Sequence, residues 1–243
     1  MFIISEIFPQ HSGDLTMAKR MILQSYLAGA SAAKVQLVQD NMFSNDNIDR
    51  SENEISYEIF SDLFDYGKSI GIDVFATAFN DETLEWCLKL NTKYLKIAAR
   101  THKENPKLVK KILNLNKKTF ISVRPDEVSK VEFVKNENFI YLSCISSYPT
   151  LLSDVTLPEF NKSPFSGISD HSLGIATALK SCSLGARFIE KHFSFDKNLQ
   201  KHYEKGHLGS MDFSDLQLLK QLTLEIEEIG KKSKKLNEKV FSK

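Results

Sequence analysis

Two histidines close two apolar runs that lie one helix apart. The first run is Phe165-Ser166-Gly167-Ile168-Ser169-Asp170-His171, and the second is Ala186-Arg187-Phe188-Ile189-Glu190-Lys191-His192. Between them, Leu173 to Leu184 carries Ile175, Ala178, Leu179 and Cys182 at helical spacing. Strand, helix, strand is a βαβ unit, and its right-handed crossover makes the two strands parallel neighbours. Both imidazoles then leave the sheet side by side at its C-terminal end, with Asp170 and Glu190 beside them. Two adjacent imidazoles with acids nearby have the donor chemistry of a divalent-metal site.

The elements that must position this pair recur along the whole chain. Short β-rich runs at Phe2–Glu6, Ala32–Leu37, Asp73–Thr77, Tyr94–Ala98, Thr119–Val123, Phe139–Cys144, Phe165–Ser169 and Arg187–Lys191 read as strands. Helical patterns fall between them at Leu15–Ala28, Tyr57–Ile70, Asp81–Leu90, Pro106–Leu115 and His171–Leu184. A last helix over Asp212–Ile229 opens with Ser210 or Asp212 as N-cap. The fifth and sixth connections are weaker: Glu127–Val134 is a short helix at best, and Pro149–Asn161 is mostly loop. This unbroken alternation predicts a (β/α)8 TIM barrel. The competing doubly wound sheet lacks a glycine-rich turn after the first strand.

The 243 residues suit one such barrel, and 42% hydrophobic content can fill it. A net charge of +1 gives no reason to expect nucleic acid or an anionic membrane as partner. No apolar stretch is long enough to span a bilayer. The start Met1-Phe2-Ile3-Ile4-Ser5-Glu6 lacks the features of a secretory signal. Cys87, Cys144 and Cys182 are scattered and odd in number, which predicts reduced, mostly buried thiols in a cytoplasmic protein. The lysine cluster after Gly230 reads as a solvated helix end.

In a barrel, polar residues at the C-terminal ends of strands are the candidates for chemistry. Here these are Glu6, Lys34 and Gln36 (two apart, so on one face), Thr77, Lys96, Ser146, Ser147, Tyr148, Ser169, His171, Glu190 and His192. A lysine inside an apolar strand is expensive to bury unless an anion compensates it. Lys34 and Lys96, with a threonine and a serine, would form a phosphate or carboxylate pocket; a structural ion pair between Lys34 and Glu6 is the blander alternative. His202 and His207 resemble metal ligands only loosely in their spacing.

Several runs together resemble the sialic acid synthase family, which comprises N-acetylneuraminate synthase and its legionaminate and pseudaminate relatives. They are Glu6-Ile7 with His11-Ser12-Gly13-Asp14, Ala28-Gly29-Ala30 leading to Lys34-Val35-Gln36, Phe75-Ala76-Thr77-Ala78-Phe79 and Tyr94-Leu95-Lys96-Ile97-Ala98. Ser146-Ser147-Tyr148-Pro149-Thr150, Ser169-Asp170-His171-Ser172-Leu173-Gly174 and Glu190-Lys191-His192-Phe193 complete the set. The resemblance implies a condensation of phosphoenolpyruvate with the open-chain aldehyde of an N-acylated amino sugar such as N-acetylmannosamine, giving a nonulosonic acid and phosphate. It implies that His171 and His192 hold a divalent cation, manganese foremost, with magnesium or cobalt as alternatives. Lys34, Thr77, Lys96 and Ser169 match positions that hold phosphoenolpyruvate. Glu6 and Gln36 match positions near the reacting water, with Glu6 as candidate general base. Tyr148 and Glu190 match sugar-side positions, Ser146 falls in the substrate-binding strand-six motif, and Asp170 orients its surroundings. A homodimer is implied as well.

The chain also departs from that pattern. Ala99 stands where the family has serine, Arg100-Thr101 where it has Gly-Glu, Ser146 where it has asparagine, and Gln10 where it has asparagine before His11. Glu204-Lys205-Gly206 replaces Gly-Pro-Asp before His207. The family adds an antifreeze-like domain after the barrel, whereas this sequence reaches Lys243 just after the last helix. The expectation is therefore one barrel domain over 1–243 without that domain, with a separate antifreeze-like domain protein among the candidate partners. A barrel with impaired catalysis that binds a ligand or a partner, or another metal-dependent aldolase, are the alternative readings.

Overall fold

A computed structural model describes residues 1–39, 51–197 and 208–241, with side chains to residue 231. Eight parallel strands close into a barrel in chain order: β1 (Phe2–Glu6), β2 (Ala32–Leu37), β3 (Asp73–Ala78), β4 (Leu95–Ile97), β5 (Thr119–Val123), β6 (Phe139–Cys144), β7 (Gly167–Asp170) and β8 (Phe188–His192). The principal helices are α1 (Leu15–Leu27), α2 (Tyr57–Ile70), α3 (Asp81–Lys89), α4 (Thr101–Glu104), α5 (Pro106–Asn114), α6 (Ala176–Ser183) and α7 (Phe213–Phe241). This is the expected (β/α)8 architecture. The connections after β5 and β6 contain only 3₁₀ turns, at Pro125–Lys130, Leu152–Asp154 and Phe160–Lys162.

Some boundaries differ from expectation. Strand β4 is three residues long, and a short extra helix, α4, follows it. Helix α6 begins at Ala176 rather than near His171. Asp170 instead captures the backbone N–H and hydroxyl of Ser172, at 2.9 and 2.7 Å, which turns the chain before a helix can start. Helix α7 continues to Phe241, well beyond Ile229. Asp212 caps it, accepting from the Asp215 backbone N–H at 2.9 Å. No described helix is long and apolar enough to cross a membrane. Cys87, Cys144 and Cys182 are free and buried.

Strand alternation sorts the side chains into two cores. The outward residues (Ile3, Val35, Val74, Ile97, Ile121 and Ile189 among them) pack against the helices. The inward residues near the strand beginnings fill the barrel. The ring centroids of Phe2, Phe75, Tyr94 and Phe188 lie 5.4–5.8 Å from that of Phe120. These five rings form an apolar floor at edge-to-face distances. Two residues beyond these apolar positions, the inward residues become polar, as at Thr77, Lys96, Ser122 and Glu190.

Two local features support that geometry. Strand β7 approaches β8 so closely that a Cβ on Gly167 would lie 2.0 Å from the Phe188 carbonyl oxygen. In the turn after β1, His11 is buried and its Nδ1 accepts from the Gly13 N–H at 3.0 Å. Burial, only partly offset by Asp14, holds this imidazole down at about 4, against an ordinary 6.5.

Gly167→Ala is expected to destabilise the barrel by roughly 2–3 kcal/mol or more, because backbone must move to admit one methyl group. Gly230→Ala, in open space on α7, is expected to stabilise by roughly 0.5–1 kcal/mol. Urea midpoints of the two variants check the contrast. For His11, the unfolded chain takes up a proton below about 6.5 but the folded chain only below about 4. Its contribution to stability is therefore intact above that window and lost as pH falls through it, by about 3 kcal/mol in all. His11→Asn should flatten stability between pH 7 and 4 in urea titrations; an unchanged slope would refute the assignment.

Candidate active site

The C-terminal mouth of the barrel is an open cup of about 680 Å³. Glu6, Lys34, Gln36, Thr77, Lys96, Ser146, Tyr148, Ser169, His171, Glu190 and His192 all line it. The strand register explains the convergence. Glu6 pairs with Lys34 on one side and His192 on the other, Thr77 pairs with Gln36 and Lys96, and Ser169 pairs with Glu190.

Directly above the aromatic floor lies a buried charged layer. Lys34 Nζ donates to Glu6 Oε2, donates to Thr77 Oγ1 at 3.0 Å, and lies 3.9 Å from Glu190 Oε2. Lys96 Nζ donates to Ser122 Oγ at 2.8 Å and to the Ile97 carbonyl at 3.1 Å, with Glu190 Oε1 at 3.6 Å. Ser169 Oγ donates to Glu190 Oε1 at 2.9 Å, and Phe8 N–H to Glu6 Oε1 at 2.9 Å. Glu190 Oε2 is buried and makes no hydrogen bond. Two ammoniums and two carboxylates thus compensate one another where isolated charges would be prohibitive.

The four groups respond differently to the same burial. Burial raises the Glu6 carboxyl above its usual range, with Lys34 pulling against it. For Glu190 burial acts in the same direction, but Lys34 and Lys96 outweigh it and hold this carboxyl below its usual range. Burial likewise lowers Lys96, only partly countered by Glu190, whereas Glu190 and Glu6 overcome burial at Lys34 and raise it. Two carboxyls of one site are thus displaced in opposite directions, Glu6 by burial and Glu190 by its two flanking ammoniums.

The imidazoles stand two residues beyond Ser169 of β7 and Glu190 of β8, nearer the rim. His171 and His192 have ring centroids 5.5 Å apart, and Tyr148, at the exposed rim, lies 4.4 Å from His171. The His171 Nδ1 is 2.9 Å from the Ile145 carbonyl oxygen, so Nδ1–H donates there and Nε2 is left to accept. Gln10 Nε2 lies 3.4 Å from His192 Nδ1 and donates to Ser210 Oγ at 3.0 Å. Among the described residues there is no group of three or more His, Cys, Asp or Glu able to hold a metal ion. Two imidazoles facing one cup have the donor chemistry for an exchangeable divalent ion whose other positions would fall to water and substrate oxygens. His202, His207 and Glu204-Lys205-Gly206 lie outside the described residues.

Ser122, Cys144 and Arg100 also border the cup, as do Ala98, Ala99 and Lys191. Ser122 lies two residues after Phe120, and Cys144 two after Leu142, so strand alternation from the floor residues would have pointed to both. Arg100 stacks on the Phe79 ring at 4.5 Å and reaches Glu104 at 3.5 Å. Ala99 offers no donor where the related pattern has a hydroxyl.

The NeuB family model matches residues 21–235. Pseudaminic acid synthase of Campylobacter jejuni (serotype O:2) is 29% identical over 99% of this chain and 78% of its own length. An uncharacterized protein of Methanocaldococcus jannaschii is 33% identical over 82% of this chain, which spans 64% of that relative's length. Human N-acetylneuraminate-9-phosphate synthase is 27% identical, covering 97% of this chain and 73% of the relative. Among solved structures, N-acetylneuraminic acid synthetase of Leptospira borgpetersenii, in complex with citrate, superposes with a TM-score of 0.85 at 29% identity, over 94% of this chain and 84% of that one. A phospho-2-dehydro-3-deoxyheptonate aldolase of Thermotoga maritima, at 14% identity and a TM-score of 0.65, shares the fold. With a family model spanning most of its length and this cup at its barrel mouth, the chain belongs to the NeuB family.

Proposed function

We propose that the chain joins phosphoenolpyruvate to the open-chain aldehyde of an N-acylated amino sugar, releasing phosphate and a nonulosonic acid. The observation that carries this reading is the stacking of a buried two-lysine, two-glutamate layer beneath a pair of imidazoles in one open cup. An anionic donor suits the lower layer. Lys96, held below its usual range by burial, gains most from a phosphate or carboxylate brought beside it, and Thr77, Ser122 and Ser169 supply further hydroxyls. The aldehyde suits the upper layer, between the imidazoles and Tyr148.

A divalent ion bound by His171 and His192 would polarise the acceptor carbonyl as a Lewis acid. In the condensation the methylene carbon of phosphoenolpyruvate bonds to the aldehyde carbon, and the aldehyde oxygen takes up a proton. Water then adds to the donor's C2, and the C–O bond to phosphate breaks. Glu6, with its raised affinity for protons, takes the proton from that water, and Gln36, its Nε2 3.4 Å from Glu6 Oε2, orients the carboxylate. Manganese, with magnesium or cobalt as alternatives, suits imidazole and oxygen ligands. A homodimer, implied by the family resemblance, in the cytoplasm, implied by three scattered free thiols, completes the reading.

The test is phosphate release from phosphoenolpyruvate with Mn²⁺ and a panel of N-acylated amino sugars. Release dependent on both sugar and metal is expected, with loss on chelation. Glu6→Gln should lower kcat by about 10²–10⁴-fold with little change in KM. Lys96→Met should chiefly raise the KM for phosphoenolpyruvate. No release with any acceptor would overturn the proposal.

A further inference from the structure

Beneath the two histidines lies a buried ion pair that the proposed chemistry leaves unused. Asp170 and Lys191 are register partners on β7 and β8. Alternation turns His171 and His192 into the cup, and Asp170 and Lys191, one residue before each, to the opposite side of the sheet. The side chains of this pair are 2% and 0% exposed, respectively. Lys191 Nζ donates to Asp170 Oδ2 at 2.9 Å and to the Ser172 carbonyl at 2.6 Å. Asp170 Oδ1 accepts from the N–H and the hydroxyl of Ser172. That hydroxyl in turn donates to Thr177 Oγ1 at 2.8 Å.

The two acceptors of Lys191 belong to residues 170 and 172, which bracket His171, while Lys191 itself adjoins His192. A single ammonium therefore ties a carboxylate on one side of an imidazole and a backbone carbonyl on the other to the residue beside the second imidazole. A buried ion pair contributes little net stability compared with apolar side chains of the same shape. Its directional bonds do fix position, and here the fixed quantity is the separation of two strand ends. We infer that Asp170 and Lys191 form a latch on the outer side of the sheet that sets the spacing of His171 and His192 for one shared divalent ion. The inference rests on the metal reading above and makes both residues positioning groups that touch neither substrate nor metal.

The test compares the wild type with Asp170→Asn/Lys191→Met, which removes both charges and leaves neither unpaired. Three readouts are taken: thermal midpoint, Mn²⁺ affinity by electron paramagnetic resonance in the absence of substrates, and imidazole ¹H–¹⁵N spectra of the metal-free protein. A midpoint near that of the wild type, a 10–100-fold loss of Mn²⁺ affinity and shifted His171 and His192 resonances are expected. Lys191→Arg alone should recover most of the affinity. Ser172→Ala, which removes one tie and exposes no charge, should give an intermediate loss and serves if the double variant does not fold. Unchanged affinity and unchanged imidazole spectra in a folded variant would overturn the latch. If the wild type itself retains no Mn²⁺, the metal reading falls, and the imidazole spectra alone decide the latch.

Discussion

Everything at the barrel mouth depends on compensating four charges without water. Lys34 and Lys96 would not remain ionised in a sealed apolar barrel on their own, nor would Glu6 and Glu190. Together they form a neutral layer whose members are each within 4 Å of an opposite charge. The aromatic floor keeps this layer dry from below, which strengthens every interaction in it. The layer is neutral but uneven. Lys34 is held by both glutamates, whereas Lys96 leans on one glutamate and neutral oxygens. An incoming anion thus meets one cation already engaged and one still able to gain a partner.

Unevenness also divides the carboxyls. Glu190 lies between the two ammoniums, which hold its carboxyl below the usual range. Glu6 has one ammonium, one backbone N–H and more burial than these offset, so its carboxyl is raised. Residues of one type are thereby displaced in opposite directions within one layer. The difference arises from strand position, with Glu190 facing across the barrel and Glu6 at the β1 end beside His192.

Much of this was legible in the sequence, for a definite reason. A parallel barrel places every second residue inside, so Lys34 and Gln36, or Ser169 and His171, declare their side once the strand is found. Polar residues at apolar strand ends stood out by type, and the βαβ rule alone brought the histidines together. Ser122 was missed because a hydroxyl in a strand carries no signal until Phe120 is known to be part of the floor. The late start of α6 was missed because the Asp170 side chain competes for the Ser172 backbone, a contact that propensity does not register. The Asp170–Lys191 pairing needed the register of β7 against β8, which the residue types do not specify. The role of each side chain in turnover is a matter for chemistry, since geometry establishes only neighbourhood.

Closure of the barrel through β8 and β1 has a consequence for how the molecule comes into being. Glu6 and His192 are register partners across that seam, 186 positions apart in the chain. Until residues near 190 arrive, the β1 edge has no partner there and the charged layer lacks Glu190, its shared counter-ion. Lys34 and Lys96 would then face an open, wet interior. The last strand is therefore both the keystone of the fold and the final component of the site. Completion of the charged layer and closure of the barrel thus depend on the same strand.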